Sequence, residues 1–327
     1  MSGTAGAQRA FRWSWIRHAV QAAALALFAA PVLLAGWNLF GTSVGGEDPL
    51  PAPAGLPFFG SLSSSSVEGF DLMDPFAALQ AAAASKSFSV DWLLAALPVL
   101  IVYGLIRGRA FCGWVCPVNL LLEIEDAIRR RLGIEVRESP VPRHAKLWIA
   151  LAVVALSAIA SIPVFEAFSP VSALNKGLLF GAVTGVWTLA AIMLAELFWG
   201  HRTWCRALCP LGGFYEAIGR AGLVNVKLDR AACIGCDACK RSCLADPAIL
   251  DPMLAGLDGF VRAGDCMACG SCIDACPSQA LSFGLGRSGA KPPEPARAGE
   301  KAQDAQSVPP SAEAAGLHRF SSLWRNA

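Results

Sequence analysis

Four long apolar segments punctuate the chain, at about 18–40, 88–106, 147–165 and 178–199, with polar or Pro- and Gly-rich stretches between them. Each is apolar on all sides rather than along one stripe. Each also approaches the roughly 20 residues a helix needs to cross a bilayer. The first and third carry no Asp, Glu, Lys or Arg; the second has Asp91 near its start and the fourth Glu196 near its end. Four buried helices of a large soluble protein are the alternative, but surfaces apolar all round rather than along one stripe favour lipid. The pattern therefore predicts four transmembrane helices. Arg9, Arg12 and Arg17 precede the first segment as they would a secretory signal. That segment is longer than the roughly 7 to 15 residues of a signal core, and no clear cleavage site follows it.

Between the first two segments, the chain is rich in Pro, Gly and Ser to about residue 69 and then reads D-L-M-D-P-F-A-A-L-Q-A-A-A-A. Asp74-Pro75 is a helix start. Phe76, Leu79 and the alanines predict a helix lying along the outer membrane surface. From Gly286 onward the composition of Pro, Ala, Lys and Glu predicts a disordered tail, 286–327.

Composition sharpens this picture. Of 327 residues, 54% are apolar and 16% charged, against about 25% charged in ordinary soluble domains, and the mean hydropathy is +0.48. A net charge of +2 argues for no nucleic-acid partner. The basic residues are distributed unevenly. The N-terminal tail, 1–17, has three, the 41–87 loop one, the 107–146 loop eight, the 166–177 loop one, and the stretch just past the fourth segment five. By the positive-inside rule both termini are cytoplasmic in a bacterial inner membrane.

All twelve cysteines fall in motifs. Cys233, Cys236, Cys239 and Cys243 form C-x2-C-x2-C-x3-C, and Cys266, Cys269, Cys272 and Cys276 repeat it, followed by Pro277. This is the run of bacterial ferredoxins, in which the fourth cysteine of each run ligates the other cluster. The expected sets are Cys233, Cys236, Cys239 and Cys276 for one [4Fe–4S] cluster, and Cys266, Cys269, Cys272 and Cys243 for the second. Zinc knuckles and disulfides fit two tandem runs poorly, and a cytoplasmic location disfavours disulfides further. The first run departs from the pattern, ending Cys243-Leu244 rather than Cys-Pro.

The other four form two copies of C-x3-C-P, Cys112 to Cys116 and Cys205 to Cys209. Counted from the first cysteine of each pair, Arg109 and Arg202 stand three residues before, Phe111 and Trp204 one before, and Glu123 and Glu216 eleven after. This is an internal repeat at 93 residues, so the segments read as two duplicated hairpins. A pseudo-twofold would join the pairs into four thiolates, enough for a metal or a further cluster. Alternatively, they are reduced thiols packing two helix ends.

R-A-F-C-G-W-V-C-P-V-N (109–119), W-C-R-A-L-C-P-L-G-G-F-Y (204–215) and the two C-terminal runs resemble the NapH/MauN family of ferredoxin-type membrane proteins. The likeness takes in D-P-F-A-A-L-Q (74–80) and F-E-A-F-S-P-V-S (165–172), and extends more distantly to NosR and CcoG/FixG. It implies a four-helix membrane domain over 18–220 and a cytoplasmic ferredoxin-like α+β domain over 221–285 with two [4Fe–4S] clusters. It also implies a role as quinol dehydrogenase component. Electrons would pass from the quinone pool, with a NapG/MauM-like iron–sulfur partner and further carriers, towards a periplasmic enzyme such as nitrate reductase. A MauN-like part in methylamine utilisation, or an electron supply for maturing a periplasmic cofactor enzyme, is the alternative. A non-redox scaffold or sensor fits twelve cysteines at ligand spacing least well.

Quinol oxidation needs proton acceptors. Glu196 and Asp91 are the candidates at membrane depth, with Glu166 a further one at the outer side; plain interfacial solvation is the alternative for all three. His18, His144 and His201 near inner ends of segments would allow a haem pair, although interfacial histidines are usually solvated.

Overall fold

The computed structural model describes residues 12–34, 58–67, 69–133, 141–174, 184–261 and 264–286. Most of the expected N-terminal tail and the expected disordered tail from 287 lie outside them. Helices occupy all four apolar segments: α1 (Trp13–Leu34), α3 (Val90–Ile106), α6 (Ala145–Ala160) with the short α7 (Val164–Phe168) after it, and α8 (Thr184–Phe198). Among the described residues no helix is long and apolar enough to cross a membrane. On α3, Leu94, Ile101, Val102 and Leu105 are nonetheless exposed, as are Trp148, Leu151 and Ile159 on α6 and Trp187, Leu194 and Phe198 on α8.

The segment before α3 departs from expectation. A small antiparallel sheet, β1 (Phe58–Gly60), β2 (Ser64–Val67) and β3 (Phe70–Met73), leads into α2 (Pro75–Ser85). Asp74 caps α2, its Oδ2 accepting the Ala77 N–H at 3.0 Å, and Pro75 supplies the first helical position. Far from lying along a surface, α2 is a core element: Phe76 is 1% exposed, and Ala77, Ala78, Gln80 and Ala84 are buried with it. Its alanines let the helix backbone approach α6 closely. Phe76 packs on Phe165 and Phe214, and Gln80 Oε1 accepts the Phe165 N–H at 2.9 Å. A run of alanines carries no signal of which side is covered, so sequence could not place this helix.

The 93-residue repeat is visible as local geometry. Two short turns, α4 (Ala110–Trp114) and a π-helical turn (Trp204–Leu208), each run into a cysteine of nearly the same conformation: Cys116 at φ −63°, ψ 119° and Cys209 at φ −68°, ψ 113°. In both, that cysteine N–H reaches back five residues, Cys116 to the Phe111 carbonyl at 3.0 Å and Cys209 to that of Trp204 at 2.8 Å. Proline then opens α5 (Pro117–Leu132) and α9 (Pro210–Gly219). The glutamates of the repeat find equivalent partners as well, Glu123 with Arg17 at the start of α1 and Glu216 with Lys146 at the start of α6.

The C-terminal part is a small α+β unit. β4 (Val224–Leu228) and β5 (Leu281–Leu285) pair antiparallel and bracket the two cysteine runs, with Val226 opposite Phe283. Between them lie α10 (Ala238–Arg241), α11 (Asp251–Ala255) and α12 (Ser271–Asp274). Val226, Ile249, Leu250, Met253, Val261, Met267 and Leu281 form its core. This unit is bound to the helices rather than hung from them. The Asp274 carboxylate accepts the Trp13 and Ser14 N–H groups at 2.8 Å each, capping α1 from α12.

Candidate iron–sulfur sites

The two ferredoxin-type runs share one backbone conformation. Gly235 and Asp237 flank Cys236 with φ of 70° and 53°, and Ala268 and Gly270 flank Cys269 with φ of 48° and 75°. These left-handed positions fold each run around an interior, and both runs continue directly into a short helix, α10 or α12. Backbone N–H groups point at sulfur: Ala268 at Cys266 Sγ, 3.4 Å, and Ala280 at Cys276 Sγ, 3.3 Å. Such bonds orient and tune cluster ligands.

Cys243, Cys266, Cys269 and Cys272 line a single cavity walled by Val226, Ile249 and Leu250. Burial, and then the neighbouring Cys269 and Cys266, push the Cys243 thiol up to about 12. Burial and the same two neighbours drive Cys272 well above its ordinary value. Four mutually repelling thiols in an apolar pocket ionise only against strong positive charge, which is what an iron cluster supplies. Of the other expected set, Cys239 is buried, Cys233 and Cys276 are half-buried and Cys236 is exposed. Hydrogen bonds from Ser278 and the Ala280 N–H outweigh burial at Cys276 and bring its thiol below the ordinary value.

The four cysteines of the C-x3-C-P pairs meet as well. Cys112, Cys116, Cys205 and Cys209 line one enclosed cavity with Phe111, Trp204, Phe165 and Leu211. Burial, then Cys112, raises Cys116 and Cys209 to about 12 each. Gly212 N–H donates to Cys209 Sγ at 3.4 Å. Among the described residues no three His, Cys, Asp or Glu side chains are placed to hold a single metal ion. A four-iron cubane spreads its thiolates wider than one ion does, and both all-thiol cavities fit a cluster by the chemistry of their donors.

Cys112 and Cys205 pack against the helical core and also against the core of the α+β unit. Four donors from the helical part grip carbonyls at the start of the second run: Arg109 that of Asp265 at 2.8 Å, Arg107 Cys266 at 3.2 Å, Trp114 Ala268 at 2.9 Å and Arg17 Cys269 at 3.3 Å. A Cβ on Gly113, the residue after Cys112, would press on the Met267 carbonyl oxygen and Cβ. The two cysteine sites are thus joined through directly touching backbone.

Two family models match the chain. A 4Fe-4S binding domain matches residues 88–135 and 180–230, the segments that carry the C-x3-C-P pairs. A 4Fe-4S dicluster domain matches 225–277, which holds the other eight cysteines. A methylamine utilization ferredoxin-type protein MauN of Methylorubrum extorquens is 34% identical over 83% of this chain and 88% of its own length. The chain belongs to the MauN and NapH family of ferredoxin-type proteins. The NapH of Haemophilus influenzae is 31% identical over 65% of this chain and 75% of its own, and that of Escherichia coli 29% over 68% and 79%. No solved structure matches.

Residues singled out for other reasons have mixed placements in this family member. Glu196 is buried, and its carboxylate accepts the Thr203 N–H at 2.9 Å and the Trp204 N–H at 2.6 Å, holding the turn that carries Cys205. Asp91 is exposed at the start of α3. Glu166 accepts from Ser172 at 2.6 Å and Ser63 at 3.1 Å. His18 and His201 bond to carboxylates, Glu123 at 2.8 Å and Asp126 at 3.1 Å.

Two side-chain networks were not expected from the sequence. Tyr215 Oη donates to Asp74 Oδ1 at 2.7 Å across 141 residues, and burial, opposed by that bond, raises the Asp74 carboxyl to about 6. The sequence marks both residues, in the stretches 74–80 and 204–215, but not their pairing; Tyr215 is one of only two tyrosines in the chain, and Tyr103 and Tyr215 pack together with ring centroids 5.6 Å apart. Lys146 Nζ, fully buried, lies 2.6 Å from Asp265 and 2.9 Å from Glu216. Burial alone would raise the Asp265 carboxyl, but Lys146 and Arg109 beside it hold it below its ordinary value.

Proposed function

We propose that this chain is a membrane-bound iron–sulfur electron-transfer protein that takes electrons from a lipophilic quinol and passes them towards a periplasmic enzyme. The observation that carries this reading is the four-cysteine cavity of the C-x3-C-P pairs, which lies between the helical core and the α+β core. A carrier needs an entry group next to the apolar helices and an exit group beyond them. Cys112, Cys116, Cys205 and Cys209 would hold the first. Cys233, Cys236, Cys239 and Cys276 would hold one [4Fe–4S] cluster of the exit pair, and Cys266, Cys269, Cys272 and Cys243 the other. Each cluster, when bound, accepts and releases one electron at a time, which suits it to splitting the electron pair of a quinol.

The apolar faces left exposed on α3, α6 and α8 support a bilayer location, since contiguous exposed apolar surface of this extent needs cover. The positive-inside pattern supports a cytoplasmic α+β unit in a bacterial inner membrane. Arg17, Arg107 and Arg109 orient the second run and surround it with fixed positive charge, favouring the reduced state there. The expected partner is a further iron–sulfur protein. A MauN-like role in methylamine utilisation is the second reading, favoured by the longer span over which the MauN relative aligns.

Purified anaerobically, the chain should hold about eight iron and eight sulfide for the two runs, and about twelve of each with the C-x3-C-P quartet filled. Adding a quinol should develop the EPR signal of reduced clusters. A silent spectrum with quinol, where dithionite gives a signal, rejects quinol as donor.

A further inference from the structure

The helical part contains one groove unused by anything described so far. It lies between α2, α6 and α9, has a volume of about 510 Å³, and is walled by Phe76, Leu147, Leu151 and Phe214, with His144 and Arg220 as its polar groups. A cavity of that size and polarity, apolar with a few polar groups, is the usual form of a small-molecule site. Its position is more informative than its size. Phe76 and Phe214 pack as tilted rings at 5.3 Å between centroids. Phe214 meets Tyr215 at 5.7 Å, and Tyr215 stacks on Phe111 at 5.5 Å. Phe111 lines the C-x3-C-P cavity and directly precedes Cys112. From the groove wall to the four cysteines the path is therefore a continuous row of packed rings. Tyr215 in that row donates its hydroxyl proton bond to Asp74.

We propose that this groove binds the quinol headgroup, with the isoprenoid tail leaving along the exposed face of α6. The inference rests on the quinol reading above and says where that donor sits. Several observations favour a quinol over a structural phospholipid. A lipid has no use for an aromatic row leading to a thiol cavity, or for a buried carboxyl hydrogen-bonded to a phenol behind the wall. A quinol needs both. Its oxidation to quinone breaks two O–H bonds and releases two electrons and two protons. Cys112, Cys116, Cys205 and Cys209 would hold the iron–sulfur group that takes the electrons one at a time. One proton goes to the His144 imidazole on the lining, the other through the Tyr215 hydroxyl to the Asp74 carboxylate. The charged and titratable groups that face Asp74 are Tyr215, Tyr103, Glu166 and Cys112.

Two groove-filling substitutions test it in the full-length, cluster-loaded protein: Ala217→Trp on α9, an exposed lining position, and Leu151→Trp on α6. The probe is heptyl-hydroxyquinoline N-oxide, a fluorescent quinol analogue, titrated by quenching, with menadiol as reductant and EPR as readout. Either variant is expected to weaken analogue binding about tenfold or more and to abolish menadiol reduction, while dithionite still develops the full cluster signal. If both variants keep dithionite-reducible clusters and bind the analogue as wild type does, the groove is not the site, and the quinol reading stands without it. If menadiol fails to reduce the wild-type protein, the quinol reading itself falls and the groove assignment with it. Displacement of the analogue by anionic phospholipid vesicles but not by menadiol would make the groove a lipid site and overturn the proposal.

Discussion

Arg109 and Arg202 occupy the same place in the repeat, yet neither serves its own half. Arg109 Nη2 donates to the Cys205 carbonyl of the second half at 2.7 Å. Arg202 Nε and Nη1 donate to Asp126 and Asn119 of the first at 2.9 Å each. Each guanidinium is buried and planar, so a lysine could not reproduce its fork. Arg202→Ala should cost about 2–3 kcal/mol by leaving Asn119 Oδ1 without its donor and Asp126 with only His201 and Arg129, with Arg202→Lys recovering less than half; chaotrope unfolding followed by circular dichroism measures both. Asp74 makes the opposite kind of prediction. Its carboxyl titrates near 6 in the folded chain against an ordinary 3.8, so the ionised form is the disfavoured one. Its contribution to stability is complete below about 4 and is lost as pH rises to about 6, an amount of about 3 kcal/mol. Asp74→Asn should flatten the thermal midpoint across that window while keeping the Tyr215 bond. An unchanged slope would mean that Asp74 is ionised throughout.

At the scale of elements, the repeat is a lesson in close approach. The turn after α3 meets the end of α9 at Gly108 and Gly219, where a Cβ on Gly108 would fall on the Tyr215 carbonyl and the Gly219 backbone. No side chain can yield there, because both obstacles are main chain. Gly108→Ala should therefore destabilise by about 2 kcal/mol or more, and should disturb Cys112 four residues on. The check is a lower thermal midpoint together with reduced iron content. α2 shows why burial was misjudged from sequence. An alanine helix is compatible with any environment, and its covering came from α6, Phe165 and Phe214, which are remote in the chain.

For the whole molecule, Lys146 is the point where four parts meet. It stands at the start of α6, pairs with Glu216 of α9 and with Asp265 before the second run, and Asp265 in turn pairs with Arg109 at 3.7 Å. Replacing it by methionine would leave two carboxylates buried near each other, at a cost of about 3–5 kcal/mol. Helices and α+β unit should then no longer unfold together: Lys146→Met is expected to split one calorimetric transition into two, and a single transition with the wild-type midpoint would refute that coupling. A boundary at residue 220 describes composition well and cooperativity poorly, since Arg17, Arg107, Arg109 and Trp114 all bind the second run.

What the sequence determined by itself is what depends on near neighbours. Apolar runs decide where the long helices form, and cysteines three or four residues apart decide which short turns can turn thiols inward. The repeat at 93 residues was legible too, because it is a matter of matching positions. Only the tertiary structure decided which of those thiols share a cavity, that Glu196 is occupied with two backbone N–H groups, that α2 is core, and that Asp74 meets Tyr215. These are contacts between residues far apart in the chain. Their partners are selected by packing and by the cost of leaving a buried polar group alone, and neither leaves a periodic mark in the sequence.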